Sequence, residues 1–203
     1  MKMTPKGNLT KKNILNQAIH LFSQKGYASV TMEDIREASG LSRGGLYRYF
    51  QSTKKIFEEI LINDKDQNEQ ALNDAIASGV PAGNLFQFFI EQQKSAILNH
   101  KGKFNVAVYE FFQTEPEMME LMNDRFSAAV RMLKTLIEYG NRDYGFSVQN
   151  TQETARFAVL YLEGIINASA LMPMSEKMLD EQFAILYSIL FEGKKVQKVE
   201  NEK

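Results

Sequence analysis

Residues 31–50, TMEDIREASGLSRGGLYRYF, decide the fold of this 203-residue chain. Thr31 precedes an amphipathic segment with Asp34 three places on, so its hydroxyl can accept from the first free N–H groups while the carboxylate sits at the positive helix end. Met32, Ile35 and Ala38 recur on one face, and Ser39-Gly40 supplies a left-handed stop. Leu41 is the apolar plug of the turn, and Ser42 is a good N-cap for a second helix from Arg43 to about Tyr49. Two short helices joined through a glycine turn are the layout of a helix-turn-helix, whose second helix enters the major groove of DNA.

That second helix carries suitable side chains. Gly44 and Gly45 each cost about 1 kcal/mol relative to alanine in a helix, a cost that makes sense where the backbone must lie close to base edges or phosphates. Arg43 can bond a guanine bidentately. Leu46 and Phe50 face the small core, which leaves Tyr47, Arg48 and Tyr49 for phosphate oxygens. An ordinary helical hairpin with solvated arginines is the other reading of the pattern, and charge weighs against it. Residues 1–55 hold ten Lys/Arg against Glu33, Asp34 and Glu37, a formal +7, whereas the remainder carries −8, for a total of −1. Such asymmetry suits a phosphate-binding head on a body that does not touch DNA, because counterion release supplies much of the affinity. A basic head also suits an acidic protein partner, so a helical adaptor is the alternative function.

Other classes are disfavoured by what is missing. Without cysteine there is no disulfide, thiol nucleophile or thiolate metal site, which fits a reducing cytoplasm. His20 and His100 lie far apart, and neither a metal site nor a cofactor is expected. No Gly-rich phosphate loop and no G-x-S-x-G is present, so no catalytic residues are assigned and the chain is not expected to be an enzyme. The start, MKMTPKGNLTKKN, is polar and charged, and no segment approaches the ~18 apolar residues of a membrane span. A soluble, cytoplasmic protein with no membrane partner is expected.

Working outward, Thr10 is placed to cap a first helix over 10–25, with Ile14, Ala18, Leu21 and Phe22 buried and Gly26 as terminator. Ser52 can cap a long fourth helix over 53–78 through Ile56, Phe57, Ile60 and Leu61. Helical periodicity then continues over 83–99, 103–113, 117–140, 150–172 and 176–192. The expected fold is all-α with about nine helices: a three-helix head over 1–52, a larger helical body over 53–193, and a polar tail over 194–203. Within the body, Phe86, Phe89, Ile90, Gln93, Phe104, Tyr109, Phe112, Met118, Met122 and Phe126 are candidates for an adaptable cavity holding an apolar, aromatic or cationic small-molecule effector. A plain core explains the same density of Phe and Met. The last two helices carry Phe157, Leu160, Tyr161, Gly164 and Ala168, then Phe183, Leu186, Tyr187 and Leu190, apolar surface wide enough for a homodimeric four-helix interface.

The stretch from Ile14 to Phe57 resembles the TetR family of bacterial transcriptional regulators, through A18-x-x-L21-F22-x-x-x-G26-Y27, T31-M32-x-x-I35, and A38-S39-G40-L41-S42-R43-G44-G45-L46-Y47-R48-Y49-F50-x-S52. The E138-Y-G140 break and the Y161-L-E-G164 helix are similar too. This resemblance implies a dimeric repressor with an N-terminal DNA-binding head, an effector-binding body, and a palindromic double-stranded operator. By position, Thr31 and Ser42 would bond phosphates, Arg43, Gly44 and Gly45 would meet base edges, and Tyr47 and Tyr49 would hold the backbone. Where the family often has a lysine at the start of the fourth helix this chain has Thr53, which leaves Lys54 and Lys55 as the phosphate candidates. An effector among helices 83–126 would use helix 53–78 as a lever to change the separation of two heads, which must stand roughly 34–36 Å apart on DNA.

Overall fold

The computed structural model describes residues 5–98, 102–143 and 145–191, with the side chains of 102, 103, 190 and 191 outside that description. His100 and the tail 194–203 also lie outside the described residues. Among the described residues nine α-helices run in order: α1 (Pro5–Lys25), α2 (Met32–Ser39), α3 (Arg43–Tyr47), α4 (Thr53–Ala77), α5 (Ala82–Leu98), α6 (Gly102–Thr114), α7 (Met119–Asp143), α8 (Thr151–Leu171) and α9 (Glu176–Phe191), with a 3-10 turn at Pro116–Met118. Among the described residues there is no strand, and no helix is long and apolar enough to cross a membrane.

Helix α1 is already helical at Pro5, so Thr10 lies inside it rather than at its start. Thr10 is no cap: its hydroxyl donates back to the Lys6 carbonyl at 3.0 Å, the usual outlet for a threonine inside a helix. Ser52 does cap α4, accepting from the Lys55 N–H at 3.2 Å.

Contacts divide the chain into two compact units, Met1–Asp64 with Lys101–Met122, and Lys65–His100 with Asn123–Lys203. The division falls inside α4, not after residue 52, and gives α6 to the first unit. Its cause is aromatic packing. Phe57 of α4 lies edge-on to Phe22 at 4.7 Å between centroids, Tyr27 meets Phe111 of α6 edge-on at 4.9 Å, and Phe57 reaches Phe104 and Phe111 at 5.5 and 4.7 Å. Pairs of this kind contribute about 0.5–1.5 kcal/mol beyond the area they bury. Ile14, Phe22, Ile35, Leu46, Phe57 and Phe111 are fully buried in this core.

The second unit gathers α5, α8, α9 and most of α7 around Phe86, Ile137, Leu162, Leu179 and Leu186. At the end of α7 the chain folds back so closely that a Cβ on Gly140 would lie 2.3 Å from the Phe146 ring. The Asn141 side chain holds the return, accepting from the Val148 N–H at 3.1 Å and donating to its carbonyl at 2.7 Å. Lys94 of α5 pairs with Glu176 and Asp180 of α9 at 3.0 and 2.6 Å.

Candidate nucleic-acid interface

Both helix starts form as the sequence predicts. Thr31 accepts from the Asp34 N–H at 3.1 Å, and the Asp34 carboxylate accepts from the Thr31 N–H at 2.8 Å, a reciprocal capping box. Lys25 at 2.6 Å, then Thr31, hold the Asp34 carboxyl well below the usual carboxylate range. Gly40 ends α2 at φ 68°, with its N–H and that of Leu41 closing onto the Glu37 and Arg36 carbonyls. Two side chains pin the turn from outside it: Arg36 donates to the Leu41 carbonyl at 3.3 Å, and Asn13 of α1 donates to the Ser39 carbonyl at 3.2 Å.

Ser42 caps α3 by accepting from the Gly45 N–H at 3.2 Å. The two glycines then separate in purpose. A Cβ on Gly45 would lie 3.1 Å from the capping Ser42 hydroxyl, whereas one on Gly44 would meet nothing within 4 Å. Nothing inside the protein therefore asks for glycine at 44. Regular α-helix ends at Tyr47, two residues before the expected limit, and the N–H groups of Tyr49 and Phe50 both close onto the Leu46 carbonyl. Leu46 and Phe50 are buried as expected.

The cations around α3 fall into two sets. Arg43 and Arg48 are exposed, stack on Tyr47 and Tyr49 at 5.8 and 5.3 Å, and take part in no ion pair among the described residues. Tyr47 is exposed, but Tyr49 is half-buried against the core. Arg48, then Thr10, draw the Tyr49 phenol pKa down by hydrogen bonding. Lys55 is tied to Glu58 within its own helix at 2.6 Å. Lys54 is held from far along the chain, by Glu117 in a short contact and by Glu115 at 3.1 Å, and the two carboxylates raise its pKa in that order.

Glu110, Glu115 and Glu117 were not singled out as head residues by the sequence pattern. The Glu110 carboxylate of α6 accepts from the N–H groups of Tyr27 and Ala28 at 2.7 and 3.4 Å. A Cβ on Gly26 would lie 2.6 Å from that carboxylate, and Gly26 has φ 79°. Glu115 accepts from the Tyr27 hydroxyl at 2.9 Å, and burial first, then Glu115, push that phenol pKa up. Local spacing offered no signal for the Glu110 contact, because Gln113 and Thr114, three and four residues on, make its side of α6 read as a polar face.

The expected effector residues do not share one core. Phe104, Phe112, Met118 and Met122 pack in the first, and Tyr109 lies half-buried on α6 of the same unit, whereas Phe86, Phe89, Ile90 and Phe126 pack in the second. Gln93 is half-buried on α5. In the second unit an open groove of about 530 Å³ runs between α5 and α9, lined by Gln87, Ile90, Asp180, Phe183, Ala184, Tyr187 and Ser188. On the last two helices Phe157, Leu160, Gly164 and Tyr187 are exposed, and Tyr161 and Ala168 half-buried. Phe183 and Leu186 differ from expectation: they are buried in the single-chain core at 4 % and 0 % exposure, so neither is free to meet a partner. Ile185 and Ile189 take the outward positions on α9 instead. The side chain of Leu190 lies outside the described residues.

A capped, glycine-turned helix pair with an exposed cationic second helix, with only helices around it among the described residues, is the build of a helix-turn-helix regulator. Residues 14–60 match the model of bacterial regulatory proteins of the tetR family. Over 157 residues the chain is 27 % identical to the uncharacterized HTH-type transcriptional regulator YfiR of Bacillus subtilis, covering 75 % of this chain and 76 % of that one. Over 49 residues it is 41 % identical to the biofilm operon icaADBC HTH-type negative transcriptional regulator IcaR of Staphylococcus aureus, a match limited to 24 % of this chain and 26 % of that one. The fold is shared with the reduced form of E. coli NemR at a TM-score of 0.74 and 17 % identity, over 89 % of this chain and 97 % of the other. Residues 14–60 thus form a DNA-binding head of the tetR family, and over three quarters of its length the chain is similar to a transcriptional regulator.

Proposed function

We propose that this regulator is a cytoplasmic homodimer that represses transcription by binding a palindromic operator, with α3 in the major groove. The observation that carries this reading is the pair of exposed arginines, Arg43 and Arg48, on a helix whose Gly44 has open space above it. Arg43 and the Gly44–Gly45 backbone would read base edges, while Thr31, Ser42, Tyr47, Arg48, Tyr49 and Lys55 would hold phosphates. Lys54 would join them once released from its carboxylates. Repression is favoured by the likeness of the head to a negative regulator.

Dimerisation is supported by the row Phe157, Leu160, Tyr161, Gly164 and Ala168 on α8 with Ile185, Tyr187 and Ile189 on α9, an apolar face larger than scattered surface residues explain. One head makes few base contacts, and a twofold pair reads two half-sites. A small apolar or cationic effector would act on the second unit, where the α5–α9 groove has an apolar floor of Ile90 and Phe183 beside the Asp180 carboxylate. To release DNA it must bind the DNA-free form more tightly, each tenfold preference corresponding to about 1.4 kcal/mol.

Selection of sites from random duplex DNA tests the proposal. An enriched palindrome whose half-sites lie about one helical turn apart is the expected result. Weak salt-sensitive binding without enrichment would overturn it and favour the adaptor reading.

A further inference from the structure

The first unit treats its surface cations unequally. Arg43 and Arg48 stand ready on α3, but Lys54, in the first turn of α4, is gripped by two carboxylates some sixty residues further along the chain. Glu115 is itself fixed, since the Tyr27 hydroxyl donates to one of its oxygens at 2.9 Å while Lys54 approaches the other at 3.1 Å. Glu117 follows Pro116, whose ring sets the 3-10 turn and so aims the second carboxylate at the same ammonium. The three charged groups are partly open to water, with side-chain exposures of 27 % for Lys54, 24 % for Glu115 and 59 % for Glu117.

We propose that the Glu115-Pro116-Glu117 segment is a brake on DNA binding: its two carboxylates occupy the ammonium of Lys54 that an operator phosphate would otherwise take. This rests on the proposed DNA-binding function and deepens it, by naming residues outside the helix-turn-helix that set its affinity. A phosphate must displace the carboxylates from Lys54, so part of the gain from that contact is spent undoing one the free head already has. The exchange is reciprocal. Phosphate on Lys54 frees the 3-10 turn, and any movement of the turn away from α4 strengthens the head's hold on DNA. Because phosphate carries no base identity, the brake acts equally on all sequences.

The test is a set of binding isotherms for the full chain on its selected duplex and on an unrelated duplex across a salt series. Glu117→Gln is the principal variant, since Glu115→Gln would also disturb Tyr27. An exposed ion pair of this kind corresponds to about a two- to fivefold change per head. Glu117→Gln is therefore expected to tighten binding to both duplexes by that factor at low salt, with the gain fading as salt screens the pair. The gain should disappear in a Lys54→Met background, and Glu120→Gln, an equal change of charge on an exposed residue nearby, should leave affinity unchanged. Unaltered affinity in Glu117→Gln would overturn the brake, as would a gain that survives undiminished in Lys54→Met. Absence of any enriched site for the unaltered chain would instead remove the function on which the brake rests, and that result is read without the variants.

Discussion

Replacing Glu110 with alanine should loosen the turn between α1 and α2 more than any change on the DNA-facing surface. Its carboxylate accepts from the Tyr27 N–H at 2.7 Å and, more weakly, from that of Ala28 at 3.4 Å. Hydrogen bonds to a charged group contribute about 1.5–3 kcal/mol. The longer contact adds little and part of the site is wet, so about 2 kcal/mol is expected for Glu110→Ala. At about 1.36 kcal/mol per decade that is a roughly 30-fold faster exchange of the Tyr27 amide, with amides of the second core, such as that of Ile137, as internal reference. Glu110→Gln retains a neutral acceptor and should show about half the free-energy change. Gly26→Ala should mimic the loss, since its Cβ would lie 2.6 Å from the carboxylate at φ 79°. Exchange at Tyr27 within about twofold of the unaltered chain would refute the reasoning, for the carboxylate would then not be what holds this turn.

Gly140→Ala should destabilise the second unit by about 1–3 kcal/mol in denaturant unfolding, because the new methyl overlaps the Phe146 ring; Phe146→Leu should relieve part of that cost, and additive effects would contradict the overlap. Asp34→Asn should lower stability at neutral pH, and the difference should narrow as pH falls. The folded carboxyl titrates below its ordinary value of 3.8, so its contribution is complete above that value and is lost as acid takes the pH down through the folded pKa. A deficit independent of pH between 7 and about 2 would contradict this. Leu160→Glu, at a position 56 % exposed on α8, should convert the proposed dimer to monomer in sedimentation without loss of helix content, and an unchanged mass would exclude this face as the interface.

Helices were legible because each carries its own periodicity and its own stop. Gly26, Gly40, Gly79 and Gly145 all stand at positive φ where the helical pattern breaks. The helix-turn-helix was equally plain, since its caps, turn glycine and plug are all local in sequence. Partners were harder to read. The apolar stripe Phe104, Ala107, Phe111 on α6 says that one face is buried but not against what, and it packs on Phe57 and Tyr27, which enlarges the first unit and divides the expected effector residues. The later turns of α9, from Phe183 on, are apolar on nearly every side, so composition could not separate the inward Phe183 and Leu186 from the outward Ile185 and Ile189. The Glu110 and Glu115 contacts join residues more than eighty apart, beyond the reach of local spacing. Thr10 misled because a hydroxyl inside a helix and one at its start look alike in sequence, and the helix already runs from Pro5 through Thr10.

The central claim is that α3 reads DNA through Arg43. The direct measurement is the affinity of the unaltered chain and of Arg43→Ala for the selected duplex and for a panel of its single base-pair variants. The account predicts a loss of about 1–3 kcal/mol per half-site that is confined to one base pair, so that the variant no longer distinguishes bases there, while Lys55→Ala weakens every duplex alike. An Arg43→Ala chain that keeps the base preference of the unaltered one would contradict it.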